Sequence, residues 1–377
     1  MAEELKRSEK RFLWVQRITF TLLLIILFIF GLTQIRNFLA PIAFGFLLAY
    51  LLYPLARKLE QKHVSRILAN LILIFGALFM LAGIIIAVYA IITPLALDLP
   101  ALREKALENL SAVAARIGEY FGFNSDNIRQ RVEEGITSIF QANGQIEAFF
   151  TATTSTLVAI GLLPVYIFLF LYYRTKFMFF LLKIAGKQNK PRMITILRDL
   201  STVMVQYLTG VIVVVFILCF INSAGLWIIG VSPAIPLGVI AAFFNFIPYF
   251  GTLLGGLVPF TYAFIIEGEL ALAFRVVILF IIVQFTENNI LTPNIVGGNV
   301  SVSPFFVIIG LVAASMIWGI AGMLLVVPFL AATRIILYNI EFMKPYAYLL
   351  GEEGTERHAI SKEKIKRFFK KKLKKAK

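Results

Sequence analysis

Charge is nearly absent from the second half of this chain. Leu200 to Ile266 runs 67 residues without Asp, Glu, Lys or Arg, and Val276 to Thr333 contains one such residue, Glu287. Runs of this length demand a bilayer around them. Soluble domains are about a quarter charged and near half apolar. Here 59% of 377 residues are hydrophobic and 15% charged, with mean hydropathy +0.86. The chain reads as a membrane protein, and bilayer crossings are the unit to count.

A hydrocarbon core of ~30 Å takes about 20 apolar residues per helix. The charge-free gaps Ile18–Ile35, Asn37–Ala56, Ile67–Leu97 and Ala148–Tyr173 each fit one span. Breakers divide the longer runs. Gly230-Val231-Ser232-Pro233 with Pro236, then Glu267-Gly268-Glu269, then Pro293 through Gly297-Gly298 to Pro304 mark turns. Spans are therefore expected near 201–229, 237–265, 270–291 and 304–333. The fold class is all-α: a polytopic integral membrane protein of about eight transmembrane helices, with interrupted or re-entrant segments in the C-terminal half. Parity ties two of these together. To keep both termini on one side, 237–265 and 270–303 both cross or both re-enter.

Lys and Arg in short flanking loops set orientation. Five precede the first span (Lys6, Arg7, Lys10, Arg11, Arg17), four follow the second (Arg57, Lys58, Lys62, Arg66), and seven lie between Arg174 and Asp199, against Arg36 alone after the first span. Both termini are expected in the cytoplasm of a multi-pass protein of the cell inner (cytoplasmic) membrane, with the first apolar run an uncleaved signal anchor. Four regions follow: 1–92, the N-terminal segment with spans one to three; 93–154, an outer segment; 155–345, spans four to eight; and 346–377, a basic tail. In the outer segment apolar residues recur at helical spacing from Leu99 to Phe121 and again from Ile128 to Ile146, which predicts two amphipathic helices joined at Gly122-Phe123-Asn124-Ser125. Ten of the last 16 residues are basic, with Ile365, Phe368, Phe369 and Leu373 on one side. Lys366, Arg367, Lys370 and Lys371 are expected to meet anionic lipid.

Net charge of +15 in a soluble chain would point to nucleic acid, but no reader fold accompanies it and the excess lies in the membrane-flanking loops. One cysteine, Cys219, and two histidines, His63 and His358, are too few for a disulfide, a Cys-rich metal site or a histidine triad. There is no P-loop and no H-E-x-x-H string. No cofactor, no metal and no enzymatic activity are expected.

Polar residues inside the spans need an explanation, because lipid offers them no water. Glu287 follows Arg275 by 12 residues, about 18 Å of helix at ~1.5 Å per residue, and so falls inside the core. Gln284, Glu287 and Asn288 share a face by i,i+3 and i,i+4 spacing, with Asn289 beside them. An ionised carboxylate there costs ~2.5–3.5 kcal/mol, so Glu287 is a candidate to gain and lose a proton during transport. The alternative is a helix clamp that never changes charge. A second candidate is the interrupted segment carrying Asn245, Pro248, Tyr249 and Gly251, where proline and glycine free backbone groups; a plain kink with close helix packing is the competing reading. Pro293, Gly297 and Gly298 form a third interruption.

The strings FNFIPYFGTLLGGLVPF, VQFTENNILTPNIVGG and SVSPFFVIIGLVAASMIWGIAGMLLVVPFLAA resemble the C-terminal half of the autoinducer-2 exporter family. Its members share an I-P-Y-x-G segment, a Q-x-x-E-N-x-x-L-x-P segment and a late G-x-x-G-x-x-x-x-x-P segment, here Gly319, Gly322 and Pro328. Thr252 stands where proline is frequent in the family. The resemblance implies an eight-span secondary transporter that assembles as a homo-oligomer. It also implies either export of a small organic solute such as the furanone signal autoinducer-2, or exchange of Na+ or Li+ for H+. A membrane scaffold recruiting partners through its basic tail is a further alternative from a different class.

Overall fold

The structure, a computed structural model, describes residues 2–97, 99–121, 134, 154–247, 251–296 and 302–352. Among these every regular element is helical, and the extended pairing is a single isolated bridge between Val302 and Gly351. The helices are α1 (Ala2–Gln34), α2 (Arg36–Gln61), α3 (Arg66–Leu97), α4 (Leu99–Phe121), α5 (Thr154–Ile229), α6 (Ala234–Phe244), α7 (Gly251–Thr261, continued by a π turn Tyr262–Ile266), α8 (Leu270–Thr286, continued through a π turn Glu287–Leu291 and Thr292–Ile295), α9 (Pro304–Tyr338) and α10 (Lys344–Leu350). Among the described residues, six stretches are long and apolar enough to cross a membrane: Gln16–Gln34, Arg36–Gln61, Arg66–Pro94, Gly161–Ile229, Leu270–Ile295 and Pro304–Tyr338.

Two of the six are not single rods. In α5 the backbone leaves the helical region at Gly186 (φ 73°, ψ 171°). Gly45 of α2 abuts Tyr166 before this break, while Leu47 of α2 clusters with Met204 after it. In a straight helix those two α5 residues would stand about 57 Å apart, so the chain reverses and both arms run past the same level of α2. This matches the sequence division into spans before and after the charged stretch Arg174–Asp199. In α9 the break is Gly319 (φ 62°, ψ −140°), a left-handed conformation that glycine adopts without strain. A Cβ placed on Gly310 would lie 2.9 Å from Cγ2 of Val326, residues that a straight helix would separate by about 24 Å. The chain therefore doubles back, and 304–333 is a helical hairpin where the sequence division expects one span.

A third reversal replaces the span expected at 237–265. Helix α6 is 11 residues long, about 16 Å, or half the hydrocarbon thickness. It ends at Asn245, and α7 returns against it: a Cβ on Gly255 would collide with the carbonyl oxygen of Ala241. Such an approach of two backbones is open only to glycine. Both ends of this hairpin therefore lie on one side, where the Ser232 amide donates to Glu267 Oε1 at 3.2 Å. One end-on-end reversal at 234–266 and another at 304–338 satisfy the parity rule with α8 still crossing, an arrangement outside the two that parity allowed above.

The second arm of α5 is the hub, packing against α6, α8 and α9. Val203, Tyr207, Val214 and Leu218 of that arm meet Ala242, Val283, Val307, Leu311, Val327 and Ala331 in the largest buried cluster. At the far end of α2, Glu60 holds together three helices: it pairs with Arg174 and lies 3.8 Å from Arg66, while Arg174 also stacks 5.2 Å over the Tyr53 ring. The tip of the α9 hairpin is fastened to α1, where Trp318 Nε1 donates to the carbonyl of Leu32 at 3.0 Å. The first predicted outer helix is present as α4. Apart from Glu134, the second, the Gly122–Ser125 joint and the basic tail with Lys366, Arg367, Lys370 and Lys371 lie outside the described residues.

Candidate functional site

Two broken helices meet at the candidate site. Asn245 is the C-cap of α6, where the hairpin tip begins. Glu287 stands where α8 passes from α-helix into the π turn Glu287–Leu291. The widening has a local cause in Pro293: it has no amide proton to give the turn below and its ring crowds that turn. The Thr292 amide accordingly bonds to the carbonyl of Glu287, five residues back. The helix continues through Pro293 to Ile295, so the expected break comes later. π turns of this kind recur at functional sites.

Asn245 Nδ2 donates to Glu287 Oε1 at 2.7 Å, and both side chains are buried. The second carboxylate oxygen, Oε2, has no hydrogen-bond partner among the described residues. A buried polar atom left in that state costs about 1–3 kcal/mol, so it is an acceptor in want of a proton, a water or a solute. In the second arm of α5, which packs on α6, Asn222 is fully buried with Oδ1 likewise unpartnered among the described residues.

The remaining polar residues of α8 do not converge on Glu287. Gln284, one turn earlier, is half-buried, whereas Asn288 and Asn289 are exposed on the surface of the chain. Asn289 Nδ2 is returned to its own helix, donating to Phe285 O at 2.8 Å. Gly251 opens α7 with its backbone against Phe244 and Asn245, so it brings the hairpin arms together at the level of the site. Pro293 is exposed. Pro248, Tyr249, Gly297 and Gly298 lie outside the described residues. One polar residue that reading by charge passes over is Asn70 of α3, fully buried, with both amide atoms unpartnered among the described residues. An uncharged amide inside an apolar span is the signal that would have found it.

Comparison with known proteins follows the same lines. "Putative transport protein YrrI" of Bacillus subtilis (strain 168) is 28% identical over 320 residues, 81% of this chain and 87% of that one. "Putative transport protein YueF" of the same organism is 28% identical over 346 residues, 85% and 92% of the two chains. A "Putative transport protein" of Borreliella burgdorferi is 24% identical over 360 residues, 93% and 95%. A family-wide sequence description, AI-2E family transporter, matches residues 20–341. With that match across nearly all of the membrane region, this chain belongs to the AI-2E family of transporters.

Proposed function

We propose that this membrane transporter is a secondary exporter of a small organic solute of the autoinducer-2 type, coupled to protons through Glu287. The observation that carries this reading is the buried Asn245–Glu287 hydrogen bond with one carboxylate oxygen left over. It joins a re-entrant hairpin to a crossing helix through a group able to exist with or without a proton. A carboxylate that alternately bonds a proton and a solute hydroxyl couples the two fluxes, because each state changes what the hairpin tip can bind. A single carboxylate between apolar helices suits an organic solute better than a stripped cation, which asks for several oxygen ligands. The same reading has both termini in the cytoplasm, supported by the Lys and Arg of the flanking loops. It has the tail on anionic inner-leaflet lipid, and a homo-oligomer covering part of the exposed apolar surface of α1 and α3.

The test is efflux of the furanone signal from loaded proteoliposomes under imposed pH gradients, for the native chain and Glu287→Gln. The native chain should respond to the gradient. Glu287→Gln should insert normally and lose that response; a variant with unchanged pH dependence would sink the coupling. Everted vesicles carrying a pH dye test the alternative. Dequenching on addition of Na+ or Li+, absent in Glu287→Gln, would replace the exporter with a cation/proton antiporter working through the same carboxylate.

A further inference from the structure

The outer helix α4 is tied to the base of the hairpin that carries Asn245. Asn109 Nδ2 donates to two carbonyls at the end of the π turn, Ile265 O at 3.0 Å and Ile266 O at 2.8 Å, groups that a helix terminus leaves without an internal partner. Ala106, one turn earlier in α4, is fully buried. Directly beneath Asn109 lies Gly268 (φ +70°), where a Cβ would meet Asn109 Cγ at 2.8 Å. Gly268 is the middle of the three-residue turn that joins the hairpin to α8. Asn109 therefore sits on the joint between the element holding Asn245 and the element holding Glu287. On the other side of that joint Glu267 gathers in the first end of the hairpin through the Ser232 amide.

We propose that α4 is a strap on this hairpin and that Asn109 is its positioning residue. With the strap engaged, the hairpin is held against α8 and the Asn245–Glu287 contact is closed. With Asn109 released, the base turn is free and the hairpin swings about Glu267–Glu269, opening its tip to the face on which α4 lies. Arms of 11 and 16 residues turn a small rotation at the base into a displacement of the tip, which is how short hairpins gate a site. This role rests on the reading of Asn245 and Glu287 as the transport site, and it assigns to the outer segment a part that none of the shared motifs includes.

The test uses the full chain with Cys219→Ala and a reporter, Thr252→Cys, in the first turn of α7, where Thr252 is buried. Cysteines at Asn109 and Gly268 are close enough to bond, given Cβ separations of about 3.5–4.5 Å in disulfides. An impermeant maleimide is applied from the α4 face. Oxidation should form the 109–268 bond and lower reporter labelling at least tenfold, with recovery when the bond is reduced before labelling. Asn109→Ala, without the pair, should raise labelling severalfold. Three results overturn the strap: labelling indifferent to the bond, no bond formed in correctly inserted protein, or no labelling of the reporter in any form. The reduced protein of the same preparation controls for folding. Labelling reads motion and not transport, so failure of proton coupling in Glu287→Gln would leave this result standing.

Discussion

A carboxyl group facing an asparagine amide can hold one hydrogen bond as either acid or anion, and only a change of solvent or solute decides between them. Glutamine at 287 would keep the acceptor for Asn245 Nδ2 and lose the choice, which is why that substitution separates the clamp from the coupling. At the base of the 234–266 hairpin the same chemistry is accessible to measurement. Burial, reinforced by the neighbouring Glu269, pushes the Glu267 carboxyl above its ordinary value, against the opposing pull of the Ser232 amide, Lys105 and Arg275. A raised value in the fold means that folding favours the protonated form. The stabilisation is complete below the ordinary carboxylate range and is lost as pH rises through the raised value. Melting of the purified protein between about pH 4 and pH 7 should therefore contain a downward component that Glu267→Gln removes. The effect is small because the side chain is only partly buried and solvent screens it. Identical slopes in both proteins would show that the hairpin base does not titrate in this way.

Elements here are made by close backbone contact as much as by apolar length. The α6–α7 hairpin depends on Gly255 lying against the Ala241 carbonyl. Gly255→Ala should cost about 1–3 kcal/mol as overpacking, read as a fall in melting temperature. Gly76→Ala in α3, where a Cβ meets nothing within 4 Å, should be neutral or stabilising by up to ~1 kcal/mol. Equal effects at the two positions would refute the tight seam. The same contrast explains what the sequence could and could not reveal. Helix identity, the six apolar stretches and the reversal near Gly186 are legible, because Arg174–Asp199 interrupts the hydropathy with charge. The reversals at Asn245–Gly251 and Gly319 carry no charge, so 237–265 and 304–333 each contain enough apolar residues to pass for one span. Glu287 is legible as the single charge in its run. Its partner Asn245 is legible only as part of a broken segment, since nothing in spacing brings positions 42 residues apart into contact.

At the scale of the molecule two helical hairpins open on opposite faces: 234–266 has its ends at Ser232 and Glu267, and 304–338 has its ends at Ser303 and the stretch leading to α10. Each pair of ends is fastened. Glu267 accepts from Ser232 at one face; at the other, the Ser303 amide donates to the Leu350 carbonyl at 2.8 Å and Gly351 packs on the Arg334 guanidinium. Two hairpins with opposite openings resemble the inverted elements of secondary transporters. Cysteine accessibility tests it directly. An impermeant reagent that labels Lys62→Cys and Lys187→Cys should also label Ser303→Cys and Glu341→Cys from that same face. From the opposite face it should label both Ser232→Cys and Gly268→Cys. A single crossing at 237–265 would divide Ser232 from Gly268, and a single crossing at 304–338 would divide Ser303 from Glu341. Either division would undo the hairpin concerned and leave the buried Asn245–Glu287 pair without the reversal that brings Asn245 to the middle of the membrane.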